Sequence, residues 1–214
     1  MPLGLDYATQ DCSLARSLEM VGERWTLLIL RDCFFGVRRF SDFQHHLGIS
    51  KAVLTDRLAG LVEDGLLVRT PQGGREEYTL TPRGLAVWPA LFALTQWGEA
   101  AASPQGPRRL FAHADCGSDI ESSGRCPACG TVPGPQDLVM RPGPGAGPGR
   151  PDDPVSAALR TPLTTSNATP AIARRYGWPV WIPWRCRRCA RASAAKRRVS
   201  WLVVWSRQAS CRAR

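Results

Sequence analysis

The chain has 214 residues, enough for one or two domains, and 43% of them are hydrophobic, so part of it can bury a core. The net charge of +10 is unevenly spread: residues 1–102 hold 10 Lys and Arg against 12 Asp and Glu, and residues 103–214 hold 18 against 6. No apolar run approaches the roughly 18–20 residues that span a bilayer, and Asp6 and Asp11 without a nearby Lys or Arg do not fit a secretory signal, so the expectation is a cytoplasmic protein with reduced thiols and no membrane partner.

In chain order, Leu14, Leu18 and Val21 recur at helical spacing, with Asp11 as a candidate cap and Gly22 after the last turn. Trp25, Leu28 and Ile29 open a second helix that stops at Gly36. Ser41-Asp42-Phe43-Gln44 has the form of a capping box and predicts a short third helix ending at Gly48. A tight turn, Gly48-Ile49-Ser50, leads into a helix from Ser50 to Asp64 with Leu54, Leu58, Leu61 and Val62 on one face, closed by Gly65. Two short helices joined by a glycine-containing turn are the pattern of a helix-turn-helix.

Leu66 to Arg69 and Glu76 to Leu80 predict a two-stranded hairpin around a turn from Thr70 to Arg75. Thr81-Pro82 starts a last helix, to about Ala101, whose Leu85, Trp88, Leu91, Phe92 and Trp97 exceed what a small domain needs; part of this surface is expected to bury against a second subunit. Ser103 to Arg109 is a Pro/Gly linker. Residues 103–140 contain a small Cys/His segment. Arg141 to Pro151, rich in proline and glycine, predicts no regular structure, and residues 154–214 hold 13 Lys and Arg with no acid. Residues 141–214, with Trp178, Trp181, Trp184, Trp201 and Trp205, are therefore expected to form a disordered basic tail. It either adds nonspecific DNA affinity by counterion release or is unconstrained.

Cys12-Ser13-Leu14, Trp25-Thr26-Leu27-Leu28-Ile29-Leu30-Arg31-Asp32, Arg39-Phe40-Ser41-Asp42-Phe43, Gly48-Ile49-Ser50 with Leu54-Thr55 and Arg57-Leu58, and Tyr78-Thr79-Leu80-Thr81-Pro82 arrive in order. Together they resemble the HxlR family of bacterial transcription regulators over about residues 12–100. The resemblance implies a mainly α fold: a winged helix-turn-helix domain over residues 1–102, with a two-stranded wing and a C-terminal dimerisation helix. It also implies a homodimer on a pseudo-palindromic operator.

The helix from Ser50 would then be the recognition helix, with Ser50 and Lys51 in the turn that enters the major groove and Thr55 one turn on. Arg57 either reaches a phosphate or guanine or pairs with Glu63 or Asp64, and Asp56 points away from phosphate or accepts from a cytosine amino group. In the wing, Gly74 permits close approach to the backbone and Arg75 is placed to touch phosphate or the minor groove; a solvated turn is the alternative. Arg38 and Arg39 could clamp phosphate or lie solvated. His45 and His46 are expected to face solvent or DNA backbone.

Cys12 lies in a first helical turn, where the dipole lowers a thiol pKa. In some HxlR-type regulators a matching cysteine senses oxidants or electrophiles; otherwise it is a small buried hydrophobe, as Cys33 is expected to be. His113, Cys116, Cys126 and Cys129 have zinc-ligand chemistry and spacing for a structural site, Cys186 and Cys189 offer a further pair, and free thiols are the alternative. The function these residues predict is a dimeric, sequence-specific regulator of double-stranded DNA acting as a repressor, without a small-molecule substrate and with an unassigned inducer. A protein-interaction adaptor and a zinc-dependent enzyme are the competing classes. The enzyme lacks an open metal position, a nucleotide loop and a nucleophile elbow in the sequence. Removal of everything after Ala102 is expected to spare dimerisation and sequence discrimination.

Overall fold

A computed structural model describes residue 7 and residues 9–164. The Trp-bearing part of the tail and Cys186, Cys189 and Cys211 lie outside the described residues. The first helix, α1 (Ser13–Val21), is capped at Cys12 rather than Asp11, because Cys12 is the last extended residue and its carbonyl accepts the first helical bond, from Arg16. Helix α2 (Thr26–Phe34) is the centre of the core, with Ile29, Leu30 and Phe34 fully buried.

Helix α3 (Phe40–Leu47) begins earlier than the expected capping box. Its cap is Arg39, and Ser41 sits inside the first turn with its hydroxyl on Asp42 at 3.3 Å. Tertiary pairing sets this start: Arg39 bridges Glu77, and the Arg38 carbonyl accepts the Tyr78 N–H at 2.8 Å, which keeps the chain extended up to Arg39. Gly48, at φ 64°, ends α3. Two residues later Ser50 caps α4 (Lys51–Glu63), its Oγ accepting the Val53 N–H at 3.3 Å. The apolar stripe is as expected, with Leu54, Leu58 and Leu61 buried. The helix closes in a Schellman arrangement, the Gly65 and Leu66 N–H groups donating to the Val62 and Leu61 carbonyls.

Strands β1 (Leu67–Gln72) and β2 (Arg75–Leu80) pair antiparallel and run further toward the turn than expected. The loop is only Gly73-Gly74, at φ 56° and 75°, a two-residue turn whose twist matches that of the strands. Pro71 is tolerated because β1 has a neighbour on one side only. Thr81 caps the next segment through its Oγ, which accepts the Gly84 N–H at 3.1 Å. The predicted single helix is two, α5 (Pro82–Leu85) and α6 (Trp88–Ala102). Pro89 explains the break: it has no N–H to donate, and in a continuous helix its ring would strike the Leu85 carbonyl.

The expectation of a disordered tail from residue 141 fails for the described part. Strands β3 (Arg109–His113), β4 (Leu138–Pro142) and β5 (Leu163–Thr164) form an antiparallel sheet in the order β3-β4-β5, and α7 (Pro154–Ala158) packs on α3. The glycines between them permit close approach: a Cβ at Gly143 or Gly145 would lie 2.1 Å from the carbonyl oxygen of Pro107 or Gly106. Met140, Leu138, Val155, Leu159 and Leu163 join the same core as α2 and α4. Trp88 ties the halves together, with ring centroids 5.0 Å from Phe34 and 5.7 Å from Phe111. The apolar surface of α6 is therefore divided. Trp88, Leu91 and Phe92 are buried within the chain, while Leu94 and Trp97 stay 50% and 71% exposed.

Candidate nucleic-acid interface

The start of α4 presents Ser50 and Lys51, and one turn on Thr55, to solvent on a helix whose other face is locked into the core. The helix N-terminus adds a partial positive charge to Lys51. The Thr55 hydroxyl donates to the Lys51 carbonyl at 2.9 Å, so its methyl is the part free to meet a base edge. At the hairpin tip Gly74 and Arg75 are exposed, Arg75 with no carboxylate in ion-pair range among the described residues. Arg69, which the sequence did not single out, is also exposed on the wing and is paired with Glu76 at 3.0 Å. That pairing raises its pKa through the hydrogen bond and then the charge of Glu76. Cross-strand register, invisible in the linear sequence, is what places the two together.

Two of the predicted contact residues have acidic partners within the chain. Arg57 is half-buried and pairs with Glu23 at 3.3 Å and Asp56 at 3.5 Å, not with Glu63 or Asp64. Arg39 lies 3.5 Å from the buried Glu77, where the start of α3 pairs with β2. Arg38 is partly exposed beside it.

Cys12 is exposed, not a buried hydrophobe. No side-chain hydrogen bond closes its cap, yet the backbone amides of Ala15 and then Leu14 hold its thiol below the ordinary cysteine value. Cys33 is buried, and burial together with the charge of Asp32 pushes its thiol up.

The other thiols converge. One ligand atom from each of His113, Cys116, Cys126 and Cys129 lies within 4.8 Å of the others. The Cys116 Sγ is 3.5 Å from His113 Nδ1 and 3.6 Å from Cys126 Sγ. Ligands about 2.0–2.3 Å from a tetrahedral zinc are roughly 3.5–3.8 Å apart, so the donor set fits that ion. Two matching loops build it. In His113-Ala114-Asp115-Cys116-Gly117 and in Cys126-Pro127-Ala128-Cys129-Gly130, the glycine N–H donates to the carbonyl of the first ligand residue at 2.8 Å. Both glycines are left-handed, at φ 73° and 70°. The matching H-x-x-C-G and C-x-x-C-G spacing is the sequence signal of this pairing of loops. Burial raises the Cys126 thiol, but the Cys129 amide, Cys116, the Ala128 amide and His113 outweigh it and bring it to about 6. Cys129 is pushed up to about 11, first by its hydrogen bond with Cys116.

Several proteins are similar to this chain in part. The HTH-type transcriptional regulator Rv3095 of Mycobacterium tuberculosis strain H37Rv is 44% identical over 145 residues, covering 66% of this chain and 92% of the relative. The HTH-type transcriptional regulator YdeP of Bacillus subtilis is 30% identical over 45% of this chain and 81% of its own length. YtfH of Escherichia coli, of the same description, is 35% identical over 42% and 75%. The HxlR-like helix-turn-helix family model matches residues 20–106. The chain belongs to the HxlR-like helix-turn-helix family. As a member it is a DNA-binding transcription regulator with a winged helix-turn-helix fold. The mycobacterial match is longer than the HxlR segment, and a stretch covering 66% of this chain takes in residues 113–129 wherever it starts. No helix among the described residues is long and apolar enough to cross a membrane.

Residues 150–153 dock on α3 through both of its histidines. His46 does not face solvent or DNA: its Nδ1 lies 2.5 Å from Asp153 Oδ2 and its Nε2 3.9 Å from the buried Asp32. His45 lies 3.4 Å from Asp152, and its carbonyl accepts from Arg150 at 3.0 Å. Burial raises Asp153, but hydrogen bonds from His46 and Ser156 outweigh it and hold the carboxyl at about 2. No sequence signal exposes such a pair, because 107 residues separate its members.

Proposed function

We propose that the chain is a homodimeric, sequence-specific repressor that reads double-stranded DNA with the first turn of α4, acts in the cytoplasm, and works by binding rather than by catalysis. The observation that carries this reading is the Ser50-capped start of α4, which exposes Lys51 and Thr55 while Leu54 and Leu58 lock the opposite face into the core. The wing tip supplies Gly74 and Arg75 as backbone contacts. Arg38 stays as a flanking phosphate contact, and Arg39 and Arg57 support the reading elements through Glu77 and Glu23. Exposed Leu14 and Leu18 on α1 and Leu94 and Trp97 on α6 offer the apolar surface for the second subunit.

His113, Cys116, Cys126 and Cys129 would hold a structural zinc. Four protein ligands leave no open position for chemistry, and the ion would tie the β3 loop to the 126–130 loop. Cys12, exposed and with a lowered thiol pKa, is the candidate sensor of oxidants or electrophiles.

Gel-shift titration of the purified full chain against the promoter of its own gene tests the main reading. Binding should survive a large excess of unrelated duplex, and Lys51→Glu should weaken it at least tenfold with an unchanged oligomeric state. Equal affinity for unrelated DNA, or full affinity in Lys51→Glu, would remove α4 as the reading element.

A further inference from the structure

A cavity of about 630 Å³ lies between α2, α6 and the C-terminal extension, residues 103–164, within the range of small-molecule sites. Leu28, Trp88, Leu91, Phe111 and Leu159 give it apolar walls, drawn from both the winged helix and the extension. Its charged lining is one-sided: Arg31, Arg108, Arg109 and Arg160 against Glu99. Among the described residues two of these arginines are ion-paired, and Arg160, which is not, is exposed. Arg31 pairs with Asp32 at 2.7 Å, Arg108 faces Glu99 at 3.5 Å, and Arg160 donates to the Pro148 carbonyl. Glu99 is in turn occupied by the Ser103 hydroxyl and Arg108. Arg109 differs. It is half-buried, donates to the Arg108 carbonyl at 3.1 Å, and has no carboxylate in ion-pair range among the described residues. Burial, and after it the charge of Arg31, disfavours its protonated form more than the charge of Glu99 favours it.

We infer that this cavity is a binding site for an amphipathic organic acid, with the carboxylate on Arg109 and an aromatic or acyl body against Trp88, Leu91 and Phe111. A bound carboxylate supplies a counter-charge at ion-pair distance, where Glu99 acts on Arg109 only from further away. An apolar body replaces water on walls that make no hydrogen bonds. A phosphate or sugar would satisfy the arginine but leave those walls wet. Because both halves of the chain line the cavity, an occupant also cross-links the extension to the winged helix.

Calorimetric titration of the full chain with naphthalene-2-carboxylate and with decanoate tests the site, and it needs no DNA, so its outcome is separate from that of the operator reading. Saturable binding of one acid per chain is expected, at least tenfold tighter than naphthalene-2-methanol. Arg109→Met should lose at least tenfold for the acids and little for the alcohol, and Leu28→Trp, which fills the cavity, should lose both. Circular dichroism melting confirms that each variant is folded. No saturation by either acid, equal affinity for acid and alcohol, or unchanged acid binding in Arg109→Met would each overturn the inference.

Discussion

Cys12 and Cys33 carry the same thiol in opposite surroundings, and the contrast governs which can react. Backbone amides at the open end of α1 favour the Cys12 thiolate, whereas burial beside Asp32 keeps Cys33 protonated. Diamide should therefore weaken DNA binding by the parent, and Cys12→Ser should blunt that response while leaving DNA affinity in reductant unchanged; an identical response in the variant would dismiss Cys12 as the sensor. The His/Cys cluster yields a second prediction at this scale. Metal analysis of protein purified without chelator should give about one zinc per chain. Cys126→Ala should lose it and melt at a lower temperature, since the metal closes the loops that carry its ligands. Metal-free parent protein with the same melting temperature as the purified form would rule out a structural ion.

At the scale of elements, close approach and hydrogen bonding decide where segments end and how they dock. Gly84 packs so tightly that an added Cβ would lie 2.1 Å from the Leu66 carbonyl oxygen, where α5 crosses the start of the wing. Gly84→Ala should therefore cost about 1–3 kcal/mol, seen as a lower midpoint in urea, while Gly60→Ala, with open space around its Cβ, should not. The docking of α7 on α3 is pH-dependent in a definite sense. The Asp153 carboxyl sits at about 2 in the fold, below the ordinary aspartate value of about 3.9. Its contribution is thus fully present above that ordinary value and is lost as the pH falls through about 2. Protection factors over residues 150–160, that is, exchange relative to the unstructured rate at each pH, should stay high from pH 7 to about 4 and fall toward pH 2; Asp153→Asn should already be less protected at pH 7.

For the whole molecule, the extension is part of the core. Phe111, Leu138 and Met140 are 5%, 2% and 0% exposed and pack with Trp88 and Phe92. Truncation after Ala102, which the sequence predicts to be harmless, should instead bare these contacts. Each large buried side chain contributes roughly 1.5–3 kcal/mol, so the fragment should melt far below the full chain or aggregate; a fragment equally stable by calorimetry would show that the winged helix folds alone. The exposed apolar residues of α1 and α6 bear on assembly. Light scattering should give twice the chain mass for the parent, and Trp97→Asp should shift it toward the monomer.

Local chemistry determined much of this protein. Ser50 as a cap, Gly48 and Gly65 as stops, the Leu54-Leu58-Leu61 stripe, Thr81-Pro82 as a helix start, and the zinc-type spacing from His113 to Cys129 are each set by residues a few positions apart. They suffice to place the helix-turn-helix, the wing and the metal-ligand loops. Only the tertiary structure decided that Arg39 turns to Glu77 and Arg57 to Glu23, that His46 grips Asp153, and that residues 141–164 close over Trp88. The physical reason is range. Caps, turns and helical stripes are satisfied within one or two turns of chain. The partner of a buried charge, or of an apolar face, is chosen by whatever distant segment the fold brings within a few ångströms.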